Sequence, residues 1–145
     1  MIKYFYLVNF TYKLKDNEEK MFLGIFSTAK KARLKIELCR SLQGFNNYSF
    51  DNYKIIKFGV NVQTTDFEKK NAILYCVMHE YFNSTDELYY WNIFDYYVSK
   101  TEAMNKIKYL RKHSRVGKRY PHNFKIDSIR VDEFSNWSEG FVNNG

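Results

Sequence analysis

Asn123-Phe124-Lys125-Ile126 is nearly a second writing of Asn52-Tyr53-Lys54-Ile55, which stands 71 positions earlier. The same offset sets Ala32 against Ala103, Lys35 against Lys106, Ile36 against Ile107 and Arg40 against Arg111. Matches this sparse carry weight only if the residues around them predict the same order of elements. They do.

In the first half, residues 2–12 alternate and are rich in aromatic and β-branched side chains, as a strand requires. Asp16-Asn17-Glu18-Glu19 reads as a polar turn, and residues 21–26 as the returning strand. Ser27 or Thr28 then caps a helix reaching about Leu42. Its apolar residues Ala32, Leu34, Ile36, Leu38, Cys39 and Leu42 suit a partly buried helix. Gly44 ends it, and residues 53–62 make a third strand. In the second half, residues 72–81 and 88–97 are strands about the turn Asn83-Ser84-Thr85-Asp86. Ser99-Lys100-Thr101-Glu102 is a capping box, with Ser99 accepting from the Glu102 amide while the carboxylate reaches back. The helix continues through Ala103, Ile107 and Leu110, and residues 124–131 form the last strand.

The expected fold is therefore α+β, a tandem duplication of a β-β-α-β unit with antiparallel sheet, two helices and a pseudo-twofold axis. The repeats span residues 1–63 and 72–145, with 64–71 as a polar linker. A hairpin and one helix make a thin core for about 70 residues. The repeats are expected to share one core, either as a continuous sheet or as two sheets packed face to face.

The second repeat resembles a family of small bacterial domains of unknown function, the DUF7336-like domains. Tyr75-Cys76-Val77-Met78-His79-Glu80-Tyr81 matches that family's first strand, and Ser99-Lys100-Thr101-Glu102-Ala103 its capped helix. Tyr120-Pro121-His122-Asn123-Phe124-Lys125-Ile126 matches its loop and last strand, and Trp137-Ser138-Glu139-Gly140-Phe141 its closing motif. The first repeat, with Leu23-Gly24-Ile25-Phe26-Ser27 and Gly44-Phe45, resembles a degenerate copy without the His or the Trp tail. The resemblance implies a fold and no assigned chemistry. It also implies that the tail folds back on the second repeat, the reading preferred here to a role for Trp137 and Phe141 as interface anchors.

Few signals point to catalysis. The chain has no Gly-rich phosphate loop, nucleophile elbow, His-Glu-x-x-His or Cys-x-x-Cys pair, and no cofactor is implied. Cys76 and His79 are three apart on a strand and so face opposite ways, which argues against a shared metal. His79 beside Glu80 would be the only candidate general base. The expected role of His79 is structural, as a hydrogen bond toward Trp137 or Glu139, while His113 and His122 read as surface. Cys39 and Cys76 are expected to be buried free thiols in a reducing, cytoplasmic setting. The opening residues read as a strand rather than a leader, and no run reaches the roughly 20 apolar residues of a membrane span.

Charge is the more informative signal. The net charge is +7, and no Asp or Glu occurs between Glu102 and Asp127. That span holds Lys106, Lys108, Arg111, Lys112, Arg115, Lys118, Arg119 and Lys125. AT-rich codons explain an abundance of Lys, Tyr and Phe, but explain less readily a stretch emptied of acids. If Ile107 and Leu110 face the core, Lys108 and Lys112 share the solvent side and Lys106 sits at the flank. The loop 114–122 continues the basic surface, and Lys30, Lys31, Arg33 and Lys35 add charge on the first helix. Lys106, Lys108, Arg111, Lys112, Arg115, Lys118 and Arg119 are the expected partner-binding residues. The expected function is a non-catalytic inhibitor that binds one protein target with an acidic surface. A toxin-immunity protein, or an anti-defence protein of a phage or mobile element, would fit. The alternative is a nucleic-acid-binding module with aromatic residues of an open sheet face stacking bases beside the basic helix.

Overall fold

A computed structural model describes residues 1–62 and 72–133. The expected linker 64–71 and the motif at 137–141 lie outside the described residues. Strands β1 (Ile2–Leu14) and β2 (Asn17–Phe26) form an antiparallel hairpin, followed by helix α1 (Ala29–Cys39). Two single 3-10 turns, Phe45–Asn47 and Phe50–Asn52, lead into β3 (Tyr53–Asn61). Strands β4 (Ile73–Asn83) and β5 (Leu88–Tyr97) form a second antiparallel hairpin. Helices α2 (Lys100–His113) and α3 (Arg115–Arg119) and strand β6 (Phe124–Arg130) follow. The protein is α+β with two separate three-stranded sheets, ordered β2-β1-β3 and β5-β4-β6.

The element starts keep the offset read from the sequence. β1 and β4, β2 and β5, α1 and α2, and β3 and β6 each begin 71 positions apart. Each hairpin also carries one extra residue on its returning strand. Leu23 is passed over where the register slips at Val8/Asn9, and Phe94 where it slips at Val77/Met78. Such a bulge bends and twists a hairpin so that it can wrap a helix. The hairpin ends differ. Leu14 pairs with Asn17, leaving a two-residue turn with Lys15 at φ 59°, whereas Asn83 pairs with Leu88 across four residues. The polar turn expected at Asp16 to Glu19 is therefore tighter, and β2 starts earlier, because Glu18 and Glu19 pair with Lys13 and Tyr12.

The chain divides into two compact units, Ile2–Gly59 with residues 130–133, and Val60–Ile129 with Met1. In the first, Val8, Phe10, Met21, Leu23 and Phe26 of the sheet pack with Ala32, Ile36 and Cys39 of α1 and with Phe45 and Tyr53. Leu34 and Leu38 do not join them and are 55 % and 59 % exposed. At 100° per residue they fall on the side of α1 away from Ala32, Ile36 and Cys39. In the second unit, Val77 packs with Ala103, Ile107 and Leu110 of α2, flanked by Tyr75, Phe94, Tyr97, Phe124 and Ile126. No helix among the described residues is long and apolar enough to cross a membrane.

Thr28 rather than Ser27 caps α1, accepting from the Lys31 N–H at 3.1 Å. Ser27 is engaged by the far end of the chain. Its N–H and hydroxyl donate to the two carboxylate oxygens of Asp132 at 2.8 and 2.7 Å, and Lys31 Nζ lies 3.1 Å from the same carboxylate. The Asp132 N–H donates to the Ile25 carbonyl at 2.8 Å. Burial pushes the Asp132 carboxyl up, but the Ser27 N–H, the Ser27 hydroxyl and the Lys31 ammonium together hold it below its ordinary value.

Candidate functional site

Helix α2 begins where the sequence says it should, with Ser99 Oγ accepting from the Glu102 N–H at 3.1 Å. Glu102 in the first turn and Arg111, Lys112 and His113 in the last turn both complement the helix dipole. Ala103, Ile107 and Leu110 are buried, Lys108 and Lys112 are exposed, and Lys106 is half-buried at the flank. Lys106 Nζ lies 5.2 Å from the centre of the Tyr109 ring, so part of its charge is spent on a cation–π contact.

The stretch after α2 is not the simple loop that the sequence suggests. Ser114 closes one helix and opens the next. Its N–H and its hydroxyl both donate to the Leu110 carbonyl, at 2.9 and 2.7 Å, while its Oγ accepts from the Gly117 N–H at 2.9 Å. The result is the third helix, α3, so Arg115, Lys118 and Arg119 stand on a rigid turn rather than on a loop. All three are exposed. Arg111 is different: its Nε–H donates to the Pro121 carbonyl at 2.7 Å and its guanidinium lies 6.0 Å from the Phe124 ring centre. It holds the turn before β6 in place as well as adding charge.

Ion pairs among the described residues are Lys31–Asp132, Arg40–Glu37 and Arg130–Glu133. None involves the basic surface of α2 and α3. On α1, Lys31 is paired with Asp132 and Arg40 at the C-cap meets Glu37, while Lys30, Arg33 and Lys35 have no carboxylate partner among the described residues. The structure thus brings Lys108, Lys112, Arg115, Lys118 and Arg119 together on consecutive helical turns as exposed cations without a carboxylate partner among the described residues.

His79 is buried, only 1 % exposed. Its Nε2 lies 3.0 Å from the Tyr120 carbonyl oxygen, which only accepts, so Nε2 carries the proton. The rings of Phe124, Tyr81 and Tyr120 surround it at 4.5, 5.8 and 6.4 Å. Glu80, next along the strand, is exposed and its side chain points to the other face. The two do not converge on one point. Cys39 and Cys76 are both buried and free. Burial pushes each thiol up to about 12, against the lowering influence of Lys35 on Cys39; for Cys76, Asp127 adds to burial. No group of three or more metal-ligating side chains occurs among the described residues.

One surface was not singled out from the sequence. Tyr75, Val77, His79 and Tyr81 of β4 point toward the α2 side, so Phe82 and its cross-strand partner Tyr89 point away from it. Trp91 opposite Glu80 and Ile93 opposite Met78 lie on that same outer face. Tyr89 and Trp91 are 77 % and 59 % exposed, and Phe82 and Ile93 are also exposed. The signal was available by comparison with Glu18, Glu19 and Lys20, which stand 71 positions before Tyr89, Tyr90 and Trp91. Where one hairpin is charged, the other is aromatic.

Comparison of the chain with protein-family models, with curated proteins and with solved structures gives no match.

Proposed function

We propose that this is a non-catalytic binding protein that blocks one protein target by stoichiometric association, using the basic surface of α2 and α3 against an acidic face. The observation that carries the reading is the group of exposed cations Lys108, Lys112, Arg115, Lys118 and Arg119, without a carboxylate partner among the described residues and held on helices. Preorganised charge of one sign speeds encounter with an opposite surface and rejects wrong partners. The outer aromatic face of the second hairpin offers a further contact of the type favoured in protein interfaces. A small inhibitor of the toxin-immunity or anti-defence kind fits this description, and the buried free thiols suit a reducing, cytoplasmic setting. The scaffold is read as a duplicated β-β-α-β unit, supported by the shared order of four elements and by a bulge on the returning strand of each hairpin. The resemblance of the second half to the DUF7336-like domains is consistent with that reading.

A nucleic-acid module is the second reading, favoured by the same cations. Its expected geometry has exposed rings beside the basic helix. Here the exposed Tyr89 and Trp91 lie on the face turned away from α2 and share it with Glu80, which suits a protein partner better.

Immobilised wild-type protein and a Lys108→Glu, Lys112→Glu, Lys118→Glu variant test the first reading. Arg111 is left intact in that variant because it bonds Pro121. A single target retained in 1:1 ratio by the wild type and lost by the variant is the expected result. Retention of that target by the variant, with unchanged circular dichroism, would contradict it. For the second reading, labelled oligonucleotides should bind with affinity falling steeply between 50 and 200 mM salt, roughly tenfold or more. No binding at low salt removes that reading.

A further inference from the structure

Beside α3, at the turn end of the second hairpin, lies a cleft of about 210 Å³ lined by Tyr81, Asn83, Arg115, Val116, Arg119 and Tyr120. Every polar side chain in this lining can donate a hydrogen bond: two guanidiniums, two phenols and one carboxamide. The Asn83 orientation is set by its Oδ1, which accepts from the Thr85 N–H at 2.9 Å, so its amide group remains as a donor. The Tyr120 carbonyl is already taken by His79. Arg115 and Arg119 are four apart on α3 and so share a face. The aromatic wall is stiff. Tyr120 stacks on Tyr81 with ring centres 4.6 Å apart, Tyr90 stacks on the other side at 5.3 Å, and Arg119 lies 5.5 Å from the Tyr120 ring centre.

The first unit shows that the fold does not require such a cleft. By cross-strand register Tyr81 answers to Tyr12, because Val77/Met78 pairs with β5 as Val8/Asn9 pairs with β2, while Phe45 and Tyr48 stand 71 positions before Val116 and Arg119. Tyr12, Phe45 and Tyr48 join Phe10 in a packed aromatic cluster, with Phe10 4.9 Å from Phe45 and 5.2 Å from Tyr48, and Tyr12 5.9 Å from Tyr48. Phe10 and Phe45 are fully buried. Where one unit fills the position with rings, the other places Val116 and Arg119 and leaves space edged by positive charge.

We propose that this cleft binds a phosphate group, either as the free anion or as the monoester of a small sugar. A phosphate monoester offers several acceptor oxygens and nearly two negative charges at neutral pH, and the free anion is nearly as acceptor-rich, which suits a donor-rich lining with two arginines. The volume is below the roughly 300 to 1,000 Å³ of drug-sized ligand sites. It admits a phosphoryl head and a short organic part, with Val116 and the ring edges supplying the apolar contact. The cleft shares Arg115 and Arg119 with the protein-target reading but needs none of Lys108, Lys112 or Lys118, so the two readings fail separately.

Calorimetric titration of the full chain with inorganic phosphate, ribose 5-phosphate and ribose tests it. The expected result is saturable binding of one or both phosphates and none of ribose; comparison of the two phosphates identifies the source. Affinity should weaken below about pH 6, where the phosphate dianion takes up a proton. Arg119→Gln should cost at least tenfold. Val116→Phe combined with Arg119→Tyr, which restores the residues of the first unit, should abolish binding without lowering Tm. The Lys108→Glu, Lys112→Glu, Lys118→Glu variant should still bind phosphate. Failure of both phosphates to bind the wild type, or their unchanged binding to the filled double variant, overturns the proposal.

Discussion

Gly117 shows how closely single residues set this structure. A Cβ built there would come 2.0 Å from the Leu110 carbonyl oxygen and 2.6 Å from Ser114 Oγ, the two atoms that join α2 to α3. Gly117→Ala should therefore displace α3, costing about 2 kcal/mol or more as a backbone clash with lost hydrogen bonds. Urea unfolding measures the loss, and a change below about 0.5 kcal/mol would contradict the assigned geometry. The two thiols give a second test. Both are buried and both are pushed up to about 12. Thiolate is the reactive form, so iodoacetamide at pH 8 should leave Cys39 and Cys76 unmodified in the folded protein and label both in urea. Rapid native labelling of either would refute the burial.

Asp132 supplies a third, with a definite sign. Its carboxyl is lowered from 3.8 in the folded protein, so its contribution is fully present above about pH 4 and is lost as pH falls through the lowered folded value. At pH 7, Asp132→Asn should cost about 1 kcal/mol, as for a lost charged cap. At acid pH, once the wild-type carboxyl is neutral as well, the variant and the wild type should converge. Equal stability at both pH values would remove Asp132 as a fastening of α1.

At the scale of elements, the strands and the two longer helices were legible because their signals are local. Ser99 with Glu102, and the alternation from Ile2 onward, need no tertiary context. Helix α3 was not legible. Its start depends on Ser114 reaching both forward to Gly117 and back to Leu110, and its five residues carry no apolar period. The burial of α1 was read too broadly, because Leu34 and Leu38 are apolar and yet point to solvent. The β1–β2 turn was placed too late, since its charged residues resemble a loop although they pair as a strand. Lys15 pays for that tight turn with a left-handed backbone at φ 59°. Lys15→Gly, free of that penalty, should raise stability by about 0.5 to 1 kcal/mol; a fall in Tm would contradict the turn.

For the whole molecule, the charge argument was legible and the chemistry of the cleft was not. An acid-free span is visible in one line of sequence, and the structure places five of its cations on exposed helical turns. The cleft required knowing that residue 81 of a strand meets residues 116 and 119 of a helix. Comparison with the first unit then gives it meaning, because Phe45 and Tyr48 pack in a ring cluster where Val116 and Arg119 line a space. The two units share an order of elements and differ at a hairpin face, at a helix surface and at this cleft.

Lysine acetylation footprinting of the complex with the captured target locates the contact surface. Lys108, Lys112 and Lys118 should become protected on binding while Lys30, Lys31 and Lys35 of α1 react as in the free protein. Protection confined to α1, with Lys108, Lys112 and Lys118 still fully reactive, would contradict it.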